Sequence, residues 1–180
     1  TDSFGSMILQ VCEGRYGLDA ADCVGGAPAF LALIGKEVLP LLHERYRIDT
    51  DSLGLFGVSA GGFFASWTLL QKDSPFANYI IPSPAMAYGD GEIFREEARY
   101  AQHHEDLVAG VYMASGTLEI GTAYYEGTGK TVSGMAALAG TLTARGYPGL
   151  RISTGMHQGL GHSDAAAATL AIGLRTLYPK

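Results

Sequence analysis

The segment LGLFGVSAGG, residues 53–62, joins a short apolar run to a tight glycine-rich turn. Residues 57–61 fit G-x-S-x-G, a pattern in which a serine occupies a strained turn between a strand and a helix. The chain contains 25 glycines, so chance alone would produce the pattern about 0.2 times. An apolar run precedes the turn and residues 63–70 form an apolar stretch after it, as the pattern requires. The segment therefore predicts a strand–turn–helix unit with Ser59 as a candidate nucleophile. The alternative is that its glycines only allow close packing of strand and helix.

Further strands and helices are predicted to alternate on both sides of this unit. Helices of ten or more residues between short apolar runs favour an α/β fold, with a mostly parallel sheet covered by helices on both faces. No linker or repeat divides residues 1–180, so we expect one domain. The first helix carries a kink at Pro40 and an amphipathic face that we expect to cover the sheet. The predicted strands are residues 7–11, 53–58, 79–81, 108–114 and 150–153, and the predicted helices are residues 28–46, 63–70, 92–105, 132–145 and 164–177.

The composition excludes several classes of function. Twelve Lys and Arg against 18 Asp and Glu give a net charge of −6, with no basic cluster, so we expect no nucleic-acid partner. The longest apolar run, residues 29–34, is too short to cross a bilayer, so we expect a soluble chain without a membrane partner. Cys12 and Cys23 are either two free thiols or one disulfide, and they lack the spacing of a metal site. Nothing in the sequence indicates the compartment.

A serine nucleophile needs a histidine base, and in hydrolases with this turn the chain order is serine, acid, histidine. His157 and His162 both lie in the glycine-rich stretch 155–162, after the last predicted strand. We prefer His162 as the base because it adjoins the final helix, and His157 is the alternative. The other histidines, His43, His103 and His104, precede the acid-bearing region and are expected at the surface.

The acid that orients the histidine should follow a different strand. Glu119 comes five residues after Ala114, where the predicted strand 108–114 ends. Glu126 is the alternative acid. The aspartates are less suitable, because Asp106 precedes that strand and Asp164 lies within the last helix. The predicted triad is therefore Ser59, Glu119 and His162.

Other residues are predicted to complete the site. The N–H of Ala60 follows Ser59 in the turn that opens the predicted helix, near the positive end of the helix dipole, which makes it a candidate oxyanion donor. Apolar residues in the loops could line a substrate pocket or simply pack in the core. The candidates for contact with substrate are Ser83, Met86, Tyr88 and His157, with Tyr124, Tyr125 and Met156 as further apolar residues.

An ordered string of motifs resembles the esterase D-like putative esterases, in the branch that contains the enterobactin-type siderophore esterases. The motifs are KEVLP with ERYRID (36–49), LFGVSAGG (55–62), the pair Ser83-Pro84, GTLE (116–119) and the terminal stretch 162–178. The resemblance implies an α/β-hydrolase fold that cleaves a small-molecule carboxylic ester through an acyl-enzyme, without metal or organic cofactor. One departure concerns the pocket, because Ala85-Met86 follow Ser83-Pro84 where the family has a polar residue and an aromatic.

A second departure concerns the amino-terminal side of the sheet. The family has several strands and an oxyanion loop before the segment that residues 7–11 resemble, and one of those strands belongs beside the strand 53–58. An interior gap would leave backbone groups unpaired. We therefore expect that this chain is the carboxyl-terminal part of a larger domain. Completion of the sheet by a second chain and a reduced topology are the alternatives.

The triad by itself does not select one reaction. A thioesterase or peptidase of the same fold would use the same three residues. A non-catalytic α/β-hydrolase-like binding module is a hypothesis of another class. An intact Ser59, Glu119 and His162 in the required order favours an esterase over the binding module.

Overall fold

Four parallel strands form one sheet in the computed structural model, which describes residues 25–179. The strands are β1 (Gly54–Phe56), β2 (Asn78–Pro82), β3 (Ala109–Gly116) and β4 (Leu150–His157), and they lie side by side in chain order. All three pairings are parallel, as the alternation of strands and helices predicts. The strand predicted over residues 7–11 and both cysteines lie outside the described residues.

The two central strands, β2 and β3, are buried along their whole length. Side chains alternate between the two faces of a sheet, and both faces of these strands are apolar. Tyr79, Ile81 and Met113 belong to the core on one face, whereas Ile80 and Tyr112 belong to the core on the other. Continuous apolar strands of this kind require helices on both faces.

Helices cover the sheet on both sides, which confirms the predicted architecture. On one side α3 (Ala60–Leu69), α4 (Glu92–His103) and α5 (Ser133–Arg145) contribute side chains to the larger core. On the other side α6 (His162–Leu177) packs against β2 and β3.

The first helical region differs from the prediction in its packing. It consists of α1 (Ala27–Leu33), a π-helical segment (Ile34–Val38) and α2 (Leu39–Arg45). Pro40 cannot donate to the carbonyl one turn earlier, and the helix widens directly before it. None of these residues is buried, so the prediction that this helix covers the sheet is wrong for the described residues. Its aromatic contact is with helix α3, where the Phe30 and Phe64 ring centroids lie 5.1 Å apart.

The sheet has β1 at one edge and β4 at the other. Hydrogen bonds from the N–H of Gly57 to Ile80 and from the N–H of Ser59 to Pro82 extend the contact between β1 and β2 up to the turn. Within residues 25–179, no strand pairs with the other edge of β1. That a further strand occupies this edge stays a prediction.

Candidate active site

Ser59 occupies a strained turn between β1 and α3. Its φ of 56° and ψ of −115° place a non-glycine residue in a sparsely populated region. Two backbone hydrogen bonds to the end of β2 and the residues after it hold this conformation: the N–H of Ser59 donates to Pro82 (3.2 Å), and its carbonyl accepts from the N–H of Ala85 (2.9 Å). The strain is therefore supported by the neighbouring strand, as a nucleophile elbow requires.

The two glycines of the G-x-S-x-G pattern have different roles in the structure. A Cβ on Gly57 would overlap the backbone carbonyl of Gly61, whereas a Cβ on Gly61 would have no atom within 4 Å. We expect Gly57→Ala to lower the free energy of unfolding by at least about 2 kcal/mol, because the clash is with backbone. Gly61→Ala should be neutral or slightly stabilising, since alanine favours a helix. Urea denaturation of both variants measures this difference, and equal losses would contradict it.

Glu119 ends a 3-10 turn (Thr117–Glu119) directly after β3 and is fully buried. Its Oε1 accepts hydrogen bonds from the Ser83 hydroxyl (2.6 Å) and from the N–H of Gly116 (2.8 Å). Its Oε2 bonds to Nδ1 of His162 at 2.8 Å. Burial by itself would raise the pKa of Glu119, but the hydrogen bonds from His162, Ser83 and Gly116 outweigh burial and lower the pKa to about 2. Glu119 is therefore a buried, ionised carboxylate.

The carboxylate of Glu119 determines which nitrogen of His162 carries a proton. An ionised carboxylate only accepts, so Nδ1 must be the donor. In the neutral imidazole Nε2 is then left with a free lone pair. The ring stacks on Tyr125, with centroids 4.1 Å apart and planes 15° from parallel. His162 is thus held with Nδ1–H towards Glu119, and Nε2 of the neutral ring can accept a proton.

The low pKa of Glu119 predicts acid sensitivity. A carboxylate whose pKa is lowered on folding stabilises the protein above its unfolded pKa, and this contribution disappears as pH falls towards the folded pKa. The stabilisation from Glu119 should be complete above about pH 5 and decline between the ordinary value of 4.5 and about 2. We expect the difference in unfolding free energy between the parent and Glu119→Gln to shrink as pH falls from 6 to 3. A difference that is independent of pH over this range would show that folding does not lower the pKa of Glu119.

The structure also locates the alternatives to these residues. His157 is the last residue of β4 rather than a loop residue, because β4 pairs with β3 four residues beyond its predicted end. Its Nε2 lies 2.9 Å from the hydroxyl of Thr169. Glu126 accepts from the N–H groups of Val132 and Ser133 at the start of α5. The structure therefore joins Glu119, and not Glu126, to His162.

The predicted substrate contacts have different surroundings. Ser83 is fully buried against Glu119, and Met86 is 1% exposed within the larger core. The structure does not bring either side chain to an open surface. The ring of Tyr88 packs against that of Phe63, with centroids 4.8 Å apart and planes tilted by 56°. Tyr88 and Phe63 border a cavity of about 600 Å³ that reaches Ala60 at the elbow.

Sequence reasoning missed two supports of the acid, the hydroxyl of Ser83 and the N–H of Gly116. A signal for Gly116 was present, since a glutamate three residues into a turn often bonds back to the residue before it. No local signal links Ser83 to Glu119, because the two residues are 36 positions apart.

The Ser59 hydroxyl forms no hydrogen bond with His162 among the described residues. Catalytic hydrogen bonds are often long and tighten only when substrate is bound.

Within residues 25–179, no group of three or more His, Cys, Asp or Glu could hold a metal ion, and no helix is long and apolar enough to cross a membrane.

Known proteins resemble this chain in sequence and in fold. The ferri-bacillibactin esterase BesA of Bacillus subtilis is 29% identical over 97 residues, which are 53% of this chain and 34% of BesA. A siderophore enterobactin esterase of Emericella nidulans is 33% identical over 90 residues, 49% of this chain and 30% of the relative. The chain thus spans about a third of the length of the curated relatives it matches. The crystal structure of the BES protein from Bacillus cereus superposes with a TM-score of 0.73 at 26% identity, over 85% of this chain and 55% of that one.

These similarities establish an α/β-hydrolase fold for the described residues. The sequence profile of the Putative esterase family matches residues 11–119. The match is more than half of the 180-residue chain and includes Ser59 and Glu119. The chain therefore belongs to the Putative esterase family.

Proposed function

We propose that this chain carries the catalytic residues of a serine esterase that cleaves carboxylic esters through an acyl-enzyme. The observation that carries the proposal is the hydrogen bond between buried, ionised Glu119 and His162 Nδ1. It leaves Nε2 free to accept a proton. Ser59, on its strained elbow, is the proposed proton donor.

The proposed reaction has two halves. His162 Nε2 takes the proton of Ser59 as the Oγ attacks the ester carbonyl, and the imidazolium then gives this proton to the leaving alcohol. Glu119 stays ionised and stabilises the imidazolium through Nδ1–H. A water then attacks the acyl carbon as the same nitrogen takes its proton. The bond from the acyl carbon to Ser59 Oγ breaks, the acid leaves, and the imidazolium returns the proton to Oγ. The N–H of Ala60, the first residue of α3, is the proposed donor to the oxyanion.

The stacking of His162 on the face of Tyr125 also supports His162 as the proposed base. A cation is attracted to the face of an aromatic ring, and the attraction is stronger where the pair is shielded from water. The His162 side chain is only 12% exposed and stacks on that face. The imidazolium that forms during acyl transfer would be stabilised there more than the neutral ring.

The proposed substrate class is a siderophore ester. Both curated relatives are named as esterases of siderophores. The cavity beside Ala60 is lined by aromatic residues, which suits an ester with flat aromatic or apolar groups. The aromatic residues are Phe30, Phe63, Phe64, Trp67 and Tyr88.

A non-catalytic binding module is the second candidate, and the missing hydrogen bond between Ser59 and His162 favours it. A module of this kind would retain a ligand without cleaving it. A thioesterase or peptidase with the same three residues would cleave a different bond. Both are outcomes of the experiment below.

The test combines covalent labelling with a substrate series. The protein is treated with a fluorophosphonate probe, and the adduct is located by mass spectrometry. It is also assayed with p-nitrophenyl esters of graded chain length, a trilactone siderophore, a thioester and a peptide amide. We expect one adduct on Ser59 and turnover of the esters. Binding of the siderophore without turnover or adduct would support the binding module, and an adduct elsewhere would refute the proposed nucleophile.

A further inference from the structure

Ser83 lies between the nucleophile and the acid. It follows β2 directly and is fully buried, and its N–H donates to the carbonyl of Ala114 at 2.9 Å. Its hydroxyl donates to Glu119 Oε1 at 2.6 Å. Since ionised Glu119 has no proton to give, the hydroxyl can act only as the donor in this pair.

The backbone at Ser83 is in a conformation that favours glycine. Its φ is 45°, in the left-handed region that side chains rarely adopt. A glycine would fit this turn without strain, but it would have no hydroxyl to give to Glu119. The strained serine is therefore best explained by its hydrogen bond.

The neighbours of Ser83 hold the nucleophile. Pro82 accepts from the N–H of Ser59, and the N–H of Ala85 donates to the carbonyl of Ser59. One four-residue segment, 82–85, thus contacts the backbone of the nucleophile and the side chain of the acid. A displacement of this segment would move both.

We propose that Ser83 is a positioning residue for the triad: its hydroxyl holds Glu119 Oε1 so that Oε2 faces His162 Nδ1. The inference rests on the proposed function and replaces the predicted role of Ser83 as a substrate contact. Gly116 and Ser83 together occupy Oε1, so the other oxygen is left for the imidazole. Because Ser83 is fully buried and its hydroxyl bonds to Glu119, it would act through the acid rather than on the substrate.

The experiment compares Ser83→Ala with Ser83→Gly. Both remove the hydroxyl, but only glycine relieves the positive φ, so at least the glycine variant should fold. We expect both to lower kcat by about 10-fold to 100-fold, as small displacements of catalytic groups do, with KM changed by less than about 2-fold because the substrate surface is intact. Ser66→Ala is the control, since Ser66 is equally buried and bonds only to the carbonyl of Gly62.

A second measurement does not depend on activity. In protein labelled with ¹³C at the glutamate carboxyls, the titration of Glu119 is followed by NMR, with Glu119→Gln identifying the signal. Loss of the Ser83 hydrogen bond should raise the pKa of Glu119 from about 2 in both variants, and Ser66→Ala should leave it unchanged. An unchanged titration in Ser83→Gly, or a parental kcat in that variant, would overturn the positioning role. If the parent cleaves no ester, the proposed function fails and the titration alone decides the role of Ser83.

Discussion

Replacing Ser59 by alanine is expected to lower kcat for ester hydrolysis by roughly 10⁵-fold to 10⁶-fold. The acyl-enzyme cannot form without the hydroxyl, and only the oxyanion donor and substrate binding remain to act. The fold should be little affected, because the hydroxyl makes no hydrogen bond to any of residues 25–179 and alanine meets the same backbone strain at a φ of 56°. Steady-state hydrolysis measures kcat, and urea denaturation of the same samples in a separate experiment measures the stability of the fold.

Ser153→Ala is the matched control for this variant. Ser153 lies exposed on β4 and has no role in the site. It should retain parental turnover and parental labelling by the fluorophosphonate. Substantial turnover by Ser59→Ala, in a preparation free of the parent protein, would show that another group carries the reaction.

Replacing Glu119 by glutamine should lower kcat by about 10⁴-fold, the loss seen when the acid of such a triad becomes an amide. The Ser83 hydroxyl and the Gly116 N–H both donate to Oε1, so the amide oxygen must take that place. The amide NH₂ then faces His162 and can only donate. Nδ1 must become the acceptor, which puts the proton on Nε2 and removes the base.

Glu126→Gln separates this effect from a general loss of stability. Glu126 accepts from backbone N–H groups at the start of α5 and does not contact His162. We expect a lower unfolding free energy and a kcat within about 3-fold of the parent, since only a helix terminus is affected. A larger loss of kcat in Glu126→Gln than in Glu119→Gln would assign the acid to Glu126 instead.

Much of the fold follows from local patterns in the chain. The strand–turn–helix around Ser59, the buried strand at residues 79–81 and the later helices were predicted to within a few residues, because apolar runs and glycine turns act over short distances. The end of β4 was not predicted from such patterns. Residues 154–157, with the sequence TGMH, carry no apolar run, and they form a strand because β3 supplies backbone partners for them.

The sequence by itself determined that Ser59 lies on an elbow and that a glutamate and a histidine follow in the order a triad requires. It favoured Glu119 over Glu126 and His162 over His157 only by their positions relative to the predicted strands and the final helix. Only the tertiary structure shows which of these groups are in contact, because it brings together residues 43 and 36 positions apart, Glu119 with His162 and Ser83 with Glu119. The reason is that an elbow depends on the backbone of a few adjacent residues. A carboxylate's orientation and pKa depend instead on every donor that the fold places around it.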